Sequence, residues 1–410
     1  MLKQKRRMTT SASAVTPKEE PRIGKDPKVP NNKILQIPIG SLSPEQWQAA
    51  VTTQESPTTH SSFPLLGRLV QEYQLNPQFA GSQKHLTELQ TMLRHVSLSW
   101  EQKWANQSRQ TSSSSLWTPD KVLSFLQDCE RDLPELSPDL RTYNAIMNGW
   151  LAQTTISITT NNLAPQQCVK RVEQLMPFLW ERFPQQLDTR TYEIIIQIYS
   201  RAGCFQQICN VLDQILQLHN SNKNKKKTPV PLRFQQPVFD QTLMDCVNGG
   251  HRHAGFTAET ILEKLNHMYH AGLLGFRPHA ATSYTMAIMA WAKSGHPEAG
   301  NRAMAILDEL TRRSASDPIM TPSAHTYSAA LHAWARLGNA NQADALLDRM
   351  FQVYYDNNKN KNHNNKKKAI KPELISFNNV LDAYAKSGLK DAGIRSERRL
   401  RQMWDLHDQG

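Results

Sequence analysis

Six stretches of fourteen residues in this chain align without a gap, and this internal repeat limits the fold more than any other feature. They begin at Arg141, Arg190, Pro237, Thr282, His325 and Ile375. The third place is always aromatic: Tyr143, Tyr192, Phe239, Tyr284, Tyr327 and Phe377. Four residues on come Met147, Ile196, Leu243, Ile288, Leu331 and Leu381, and three further Trp150, Tyr199, Cys246, Trp291, Trp334 and Tyr384. Positions i, i+4 and i+7 fall on one side of an α-helix, so each stretch predicts a short helix with one apolar stripe. Thr or Ser just before the aromatic, in five of the six, is expected to cap the helix start. Gly203, Gly250, Gly295, Gly338 and Gly388 are placed to take the left-handed conformation that ends it.

A second amphipathic run follows most of these glycines: Val211, Leu212, Ile215 and Leu216; Ile261, Leu262, Leu265 and Met268; Ala303, Ile306, Leu307 and Leu310; Ala343, Leu346, Leu347 and Met350. One hairpin of two short helices cannot bury both stripes, so neighbouring hairpins must stack into a continuous core. The expected fold is all-α, a right-handed superhelical solenoid of helix-turn-helix repeats over 140–410. Successive aromatics are 49, 47, 45, 43 and 50 residues apart, so a two-helix unit of about 35 residues carries an insertion each time.

Upstream the pattern weakens. Residues 1–60 are rich in Pro, Ser, Thr and Gln, show no sustained apolar period, and read as a disordered tail. The opening is basic and free of acids until Glu19, which fits an organellar transit peptide as well as a plain tail. Residues 61–139 read as a helical N-terminal region, either an isolated helix pair or a degenerate repeat. Leu86, Leu89, Leu93, Val96, Trp100 and Trp104 fall at steps of three and four, and Thr118 with Pro119 starts a second helix that Pro134 ends.

The formal net charge of +12 suggests a polyanionic partner, nucleic acid before membrane. Its distribution qualifies that. Thirteen of the 48 Lys and Arg lie in three acid-free segments, Met1 to Arg7, Lys223 to Lys227 and Lys359 to Lys368, leaving 35 cations against 36 acids elsewhere. The two internal runs are Asn/Lys low-complexity insertions near 220–228 and 357–368, with nothing to bury. No apolar run approaches the length of a membrane span, so membrane insertion is not expected. Cys129, Cys168, Cys204, Cys209 and Cys246 form no CxxC pair and read as reduced thiols.

The Thr-Tyr and Ser-Phe helix starts, the helix ends Ala292 to Gly295, Ala335 to Gly338 and Ala385 to Gly388, and the Lys-Pro-Glu lead-in at Lys371 to Glu373 together resemble the pentatricopeptide repeat family. That resemblance covers roughly Leu140 to Gly410. It implies single-stranded RNA binding in a mitochondrion or plastid, one base per repeat, along a groove lined by the first helices. It also implies that two residues per unit read each base: Asn144 with Asp188, Glu193 with Gln235, Asp240 with Ala280, Thr285 with Ser323, Ser328 with Glu373, and Asn378 alone. Asn144 with Asp188 is the pair that would favour uracil. Glu193 and Asp240 depart from the family pattern, because a carboxylate beside a phosphate chain is repelled.

A basic residue two places before the glycine recurs as Arg201, Lys293, Arg336 and Lys386, with Asn248 in the third unit. Identical placement in stacked repeats would draw these cations into a line for phosphates. Arg141, Arg190, His325 and Ile375, just before each helix start, offer faces suited to stacking on bases. His251 with His253 and His267 with His270 lack the CxxC or HExxH context of a metal site, so neither metal nor cofactor is expected. No clustered aspartates of a nuclease are present. The expected function is a non-catalytic, monomeric, single-stranded RNA-binding repeat protein in organellar RNA processing, stability or translation, working with a processing enzyme or ribosome. The alternatives are a helical protein-interaction scaffold or an organellar ribosome-associated subunit.

Overall fold

The computed structural model describes residues 118–132, 137–160, 164–184, 186–224, 232–276, 281–359 and 370–408, with Thr87, Gln90, Leu93 and Glu101. All of these belong to the unit His60–Gly410. The tail expected over 1–60, most of the region upstream of Thr118 and most of both Asn/Lys runs lie outside the described residues.

Thirteen α-helices follow one another among the described residues: α1 Pro119–Asp132, α2 Leu140–Thr160, α3 Ala164–Arg182, α4 Thr189–Arg201, α5 Phe205–Asn224, α6 Gln236–Gly249, α7 Ala254–His270, α8 Ala281–Ser294, α9 Ala299–Ser314, α10 Ala324–Arg336, α11 Ala340–Lys359, α12 Leu374–Ser387 and α13 Ala392–Asp408. A 3-10 turn, Pro318–Met320, sits between α9 and α10, and one isolated bridge joins Phe234 to Leu274. The helices pair into six hairpins, each starting with an even-numbered helix, and α1 packs on α2. Every first helix packs on the next, from α2 to α12, so the first helices form one continuous layer. The second helices α3, α7, α9 and α11 each pack as well on the first helix of the following hairpin. The protein is an all-α solenoid of helical hairpins.

The apolar stripe accounts for the stacking. All six aromatics at the third place are buried, as are Trp150, Tyr199, Cys246, Trp291, Trp334 and Tyr384. Removing side chains of this size from water contributes about 1.5–3 kcal/mol each. Leu381 in α12 is the one member of the central set left half-buried. The second-helix runs are buried too, except for Leu216, which is half-buried. The five repeat glycines end their helices with φ between 56° and 70°, the region that disfavours any side chain.

Two features differ from the sequence expectation. The helices start three residues earlier than the Thr/Ser rule places them. Asp139, Asp188 and Ser323 hold the capping position, and Thr142, Thr191 and Thr326 are third in the helix, donating their N–H groups to those caps over 2.9 to 3.2 Å. At Ser323 the arrangement is reciprocal, since its own N–H donates to Thr326 Oγ1 at 3.1 Å. Second, α3 and α13 complete hairpins that carried no visible run. Helix α3 has Pro177 in its interior, which argues against a helix in sequence. In α13 an arginine, Arg399, lies buried where an apolar residue is expected.

From α5 onward the second helices are tied by ion pairs that cross each hairpin boundary: Asp213 with Lys264, Glu259 with Arg302, Asp308 with Arg349, and Asp344 and Asp348 with Arg399. The acid is always on the earlier helix and the cation on the later one. Asp120 and Glu130 of α1 meet Arg171 and Arg182 of α3 in the same sense.

Candidate nucleic-acid interface

A face able to hold a nucleic acid must be built from the part of the first helices that the apolar stripe leaves free. In a helix, residues at i, i+4, i+7 and i+11 share one side. On α10 the outer side runs His325, Ala329, His332, Arg336, with Ala329 buried, and on α12 the solvent side runs Ile375, Asn379, Asp382, Lys386. On α8 it runs Thr282, Met286, Met289, Lys293. The residues expected to stack on bases therefore stand at one end of this stripe and the repeated cations at the other, eleven residues or about 16 Å apart. Arg141, Arg190, His325 and Ile375 are all exposed, with Arg190 donating to Glu101 at 3.2 Å.

Lys293, Arg336 and Lys386 come together. They sit at the C-terminal ends of α8, α10 and α12, where the helix dipole favours cations. Arg336 reaches back over the preceding helix end, its Nη2 lying 3.5 Å from where a Cβ on Gly295 would stand. All three cations act on His332, which lies between them. Its pKa is held below the usual 6.5 by burial first and then by Arg336, Lys386 and Lys293, against the opposing Asp382. Lys386 pairs with Asp382 at 2.5 Å, whereas Lys293 and Arg336 have no ion-pair partner among the described residues. Arg336 and Lys386 are exposed and Lys293 half-buried.

Arg201, the first cation in the expected line, is placed differently. It is half-buried and donates from Nη1 at 3.0 Å to the Leu151 carbonyl of α2, which also accepts from Thr154 Oγ1 at 2.6 Å. Burial lowers its pKa, with Asp245 opposing. Asn248 is exposed at the end of α6, so the cation line spans three adjacent hairpins, those starting with α8, α10 and α12.

The residues expected to read bases divide by position. Asn144, Glu193, Thr285 and Ser328 are buried at junctions between successive first helices. Asn144 Oδ1 accepts from Thr191 Oγ1 at 2.9 Å, and its Nδ2 donates to Asp188 at 3.4 Å. Glu193 accepts the Gln235 N–H at 2.9 Å, Thr285 shares a hydrogen bond of 2.8 Å with Thr326, and Ser328 shares one of 2.9 Å with Ser376. Their intended partners Gln235, Ser323 and Glu373 are exposed, as is Asn378, while Asp188 and Asp240 are half-buried. Burial raises the Asp240 pKa, and a hydrogen bond with Gln236 opposes that. Ala280 lies outside the described residues.

These junction bonds were not visible in the sequence as contacts, yet a signal for them exists. Thr191, Thr326 and Ser376, each third in its first helix, come one hairpin after Asn144, Thr285 and Ser328 in the base-reading place, so at these three junctions each supplies the other's partner. His332, Met286 and Met289 were missed because the aromatic stripe was read and its complement was not.

No protein-family model matches this chain, and no curated protein does. Among solved structures, the crystal structure of a pentatricopeptide repeat protein from maize matches it at 14% identity, over 87% of this chain and 68% of that one, with a TM-score of 0.21. The face described above rests on its own residues, not on that likeness. No helix among the described residues is long and apolar enough to cross a membrane.

Proposed function

We propose that the protein binds single-stranded RNA along its first helices and acts without cutting it, within organellar RNA processing, stability or translation. The observation that carries this reading is the line of Lys293, Arg336 and Lys386, brought together from residues far apart in sequence and left largely free of ion pairs while the second helices consume their cations. A phosphate backbone laid across three hairpin ends would meet one cation per step. Binding here is led by the backbone with modest base preference, because Asn144, Thr285 and Ser328 would first have to exchange junction hydrogen bonds for a base. Glu193 is likewise spent on the Gln235 N–H and is not an acidic groove residue offered to a basic peptide. The mitochondrial or plastid setting belongs to the same proposal and draws on the basic opening of the chain.

Replacing Lys293, Arg336 and Lys386 by Gln together tests it. For single strands the slope of log affinity against log salt changes by about 0.7 per phosphate contact, so the triple variant should lose about 2 from that slope. Arg201→Gln should leave the slope unchanged. An unaltered slope in the triple variant, or no binding above that to an equally charged control protein, overturns the reading.

A further inference from the structure

Two glycines inside the array serve as clefts for tryptophan. A Cβ added at Gly255 in α7 would lie 2.1 Å from Trp291 of α8, and one at Gly300 in α9 would lie 2.3 Å from Trp334 of α10. Each glycine follows its hairpin glycine by five residues, and each lets the next first helix set its indole against the second-helix backbone. Gly393 in α13 has the same spacing from Gly388, and nothing lies within 4 Å of the place its Cβ would take. Seven residues further on, Leu262 and Leu307 are buried in the array, but Leu400 is 39% exposed. Four beyond that stands Trp404, 62% exposed, where α7 and α9 carry Asn266 and Thr311.

Gly393, Leu400 and Trp404 lie on one side of α13, since seven and eleven residues each come within about 20° of whole turns. The helix thus presents an empty indole cleft and an unburied indole on the same stripe, about 16 Å apart. Both halves of the junction seen inside the array occur on one surface, which is the requirement for an isologous contact. We propose that α13 pairs antiparallel with α13 of a second copy of this chain, each Trp404 entering the Gly393 cleft of the other.

The charges agree. Inside the array the outward places four and eight residues after the cleft glycine supply acids, Glu259 in α7 and Asp308 in α9, for cations of the next helix. In α13 those places hold Glu397 and Arg401, one of each sign and both exposed, which pair with each other at 2.6 Å within one copy and could exchange that pairing across a two-fold contact. A two-fold axis between residues 398 and 399 sets Gly393 opposite Trp404 and brings Glu397 beside the Arg401 of the second copy. An apolar cavity of about 390 Å³, lined in part by Leu374, Phe377, Met403 and Trp404, continues the surface at one end of the helix.

The test is sedimentation velocity of the full chain and of two variants over a concentration series. Wild type should pass from monomer to dimer, with no larger species. Trp404→Ala, which leaves a cavity at each junction, and Gly393→Leu, which blocks each cleft, should each weaken the dimer by about a hundredfold or more, the loss that truncating central buried tryptophans brings. Open space around Gly393 means that the leucine variant should fold as well as wild type. The decisive arm is a mixture of the two variants. Its heterodimer has one intact Trp–Gly junction and one Ala–Leu junction of restored volume, so it should associate more tightly than either variant alone. A wild type that stays monomeric, variants that dimerise like wild type, growth to open oligomers, or a mixture no tighter than its components would each overturn the proposal.

Discussion

Gly300→Ala isolates one junction of the solenoid. The added Cβ would stand 2.3, 2.4 and 2.6 Å from three ring atoms of Trp334, all far inside contact distance. The ring cannot simply turn aside, because Trp334 is buried between α9 and α10. Overpacking a rigid ring of this kind costs about 3 kcal/mol, the upper end of the usual range. In the other direction, replacing a helical glycine by alanine contributes about 1 kcal/mol through propensity. The net expectation is a loss of about 2 kcal/mol. In the monomer, Gly393→Ala makes the same propensity change with nothing within its own chain to meet the methyl group, so at dilutions where the chain is monomeric it should gain about 1 kcal/mol. Urea unfolding followed by circular dichroism measures both, and in a repeat array the weakened α9–α10 junction should also broaden the transition. Equal or greater stability of Gly300→Ala relative to wild type would refute the packing argument, whatever happens at Gly393.

Other changes follow from the same structure. Arg399, 3% exposed and bonded to Asp344 and Asp348 at 2.6 Å, should cost about 3 kcal/mol when replaced by Met, since the nearly buried Asp344 keeps only the more distant Arg398 at 3.5 Å. The double variant Arg399→Met with Asp344→Leu should recover most of that loss in the same urea assay. Asp188→Ala should cost about 1 kcal/mol or more through loss of the α4 cap, independent of any RNA. His332 has a folded pKa below its unfolded value, so it favours the native state only while neutral. Stability should therefore fall as pH drops through about 6.5, and His332→Gln should flatten that part of the profile in thermal melts at successive pH values.

The spine of the fold was legible because its signal is covalent in origin. An aromatic, an aliphatic and a second aromatic at i, i+4 and i+7, closed by glycine, can be satisfied in few ways, and every one of those glycines takes positive φ. The caps were misplaced by three residues because a Thr at the third helical position and a Thr at the cap look alike in sequence. Only the hydrogen bonds of Asp188 and Ser323 separate them. Helix α3 was hidden by Pro177, and α13 by an arginine whose charge is met by acids 55 and 51 residues away. At the candidate site the recurrence of Lys293, Arg336 and Lys386 was readable, but the withdrawal of Arg201 toward Leu151 was not. It depends on a backbone carbonyl, which no side-chain pattern records.

The pairing of charges explains why net charge was so poor a guide to the site. The second helices hold acids and cations in nearly equal measure and spend many of them on each other across hairpin boundaries, as at Glu259 with Arg302 and Asp308 with Arg349. Such pairs add little to the field outside the protein, because opposite charges in contact cancel beyond a Debye length of about 8 Å at physiological salt. The first helices carry few charges, and those at the ends of α8 and α10 are without ion-pair partners among the described residues. Three cations on one layer, on a repeat region whose formal charge is close to neutral outside its two Asn/Lys runs, can therefore set the potential that a polyanion meets. A partner reads where charge is left unpaired, and in this solenoid that is decided by which helix of the hairpin a residue belongs to.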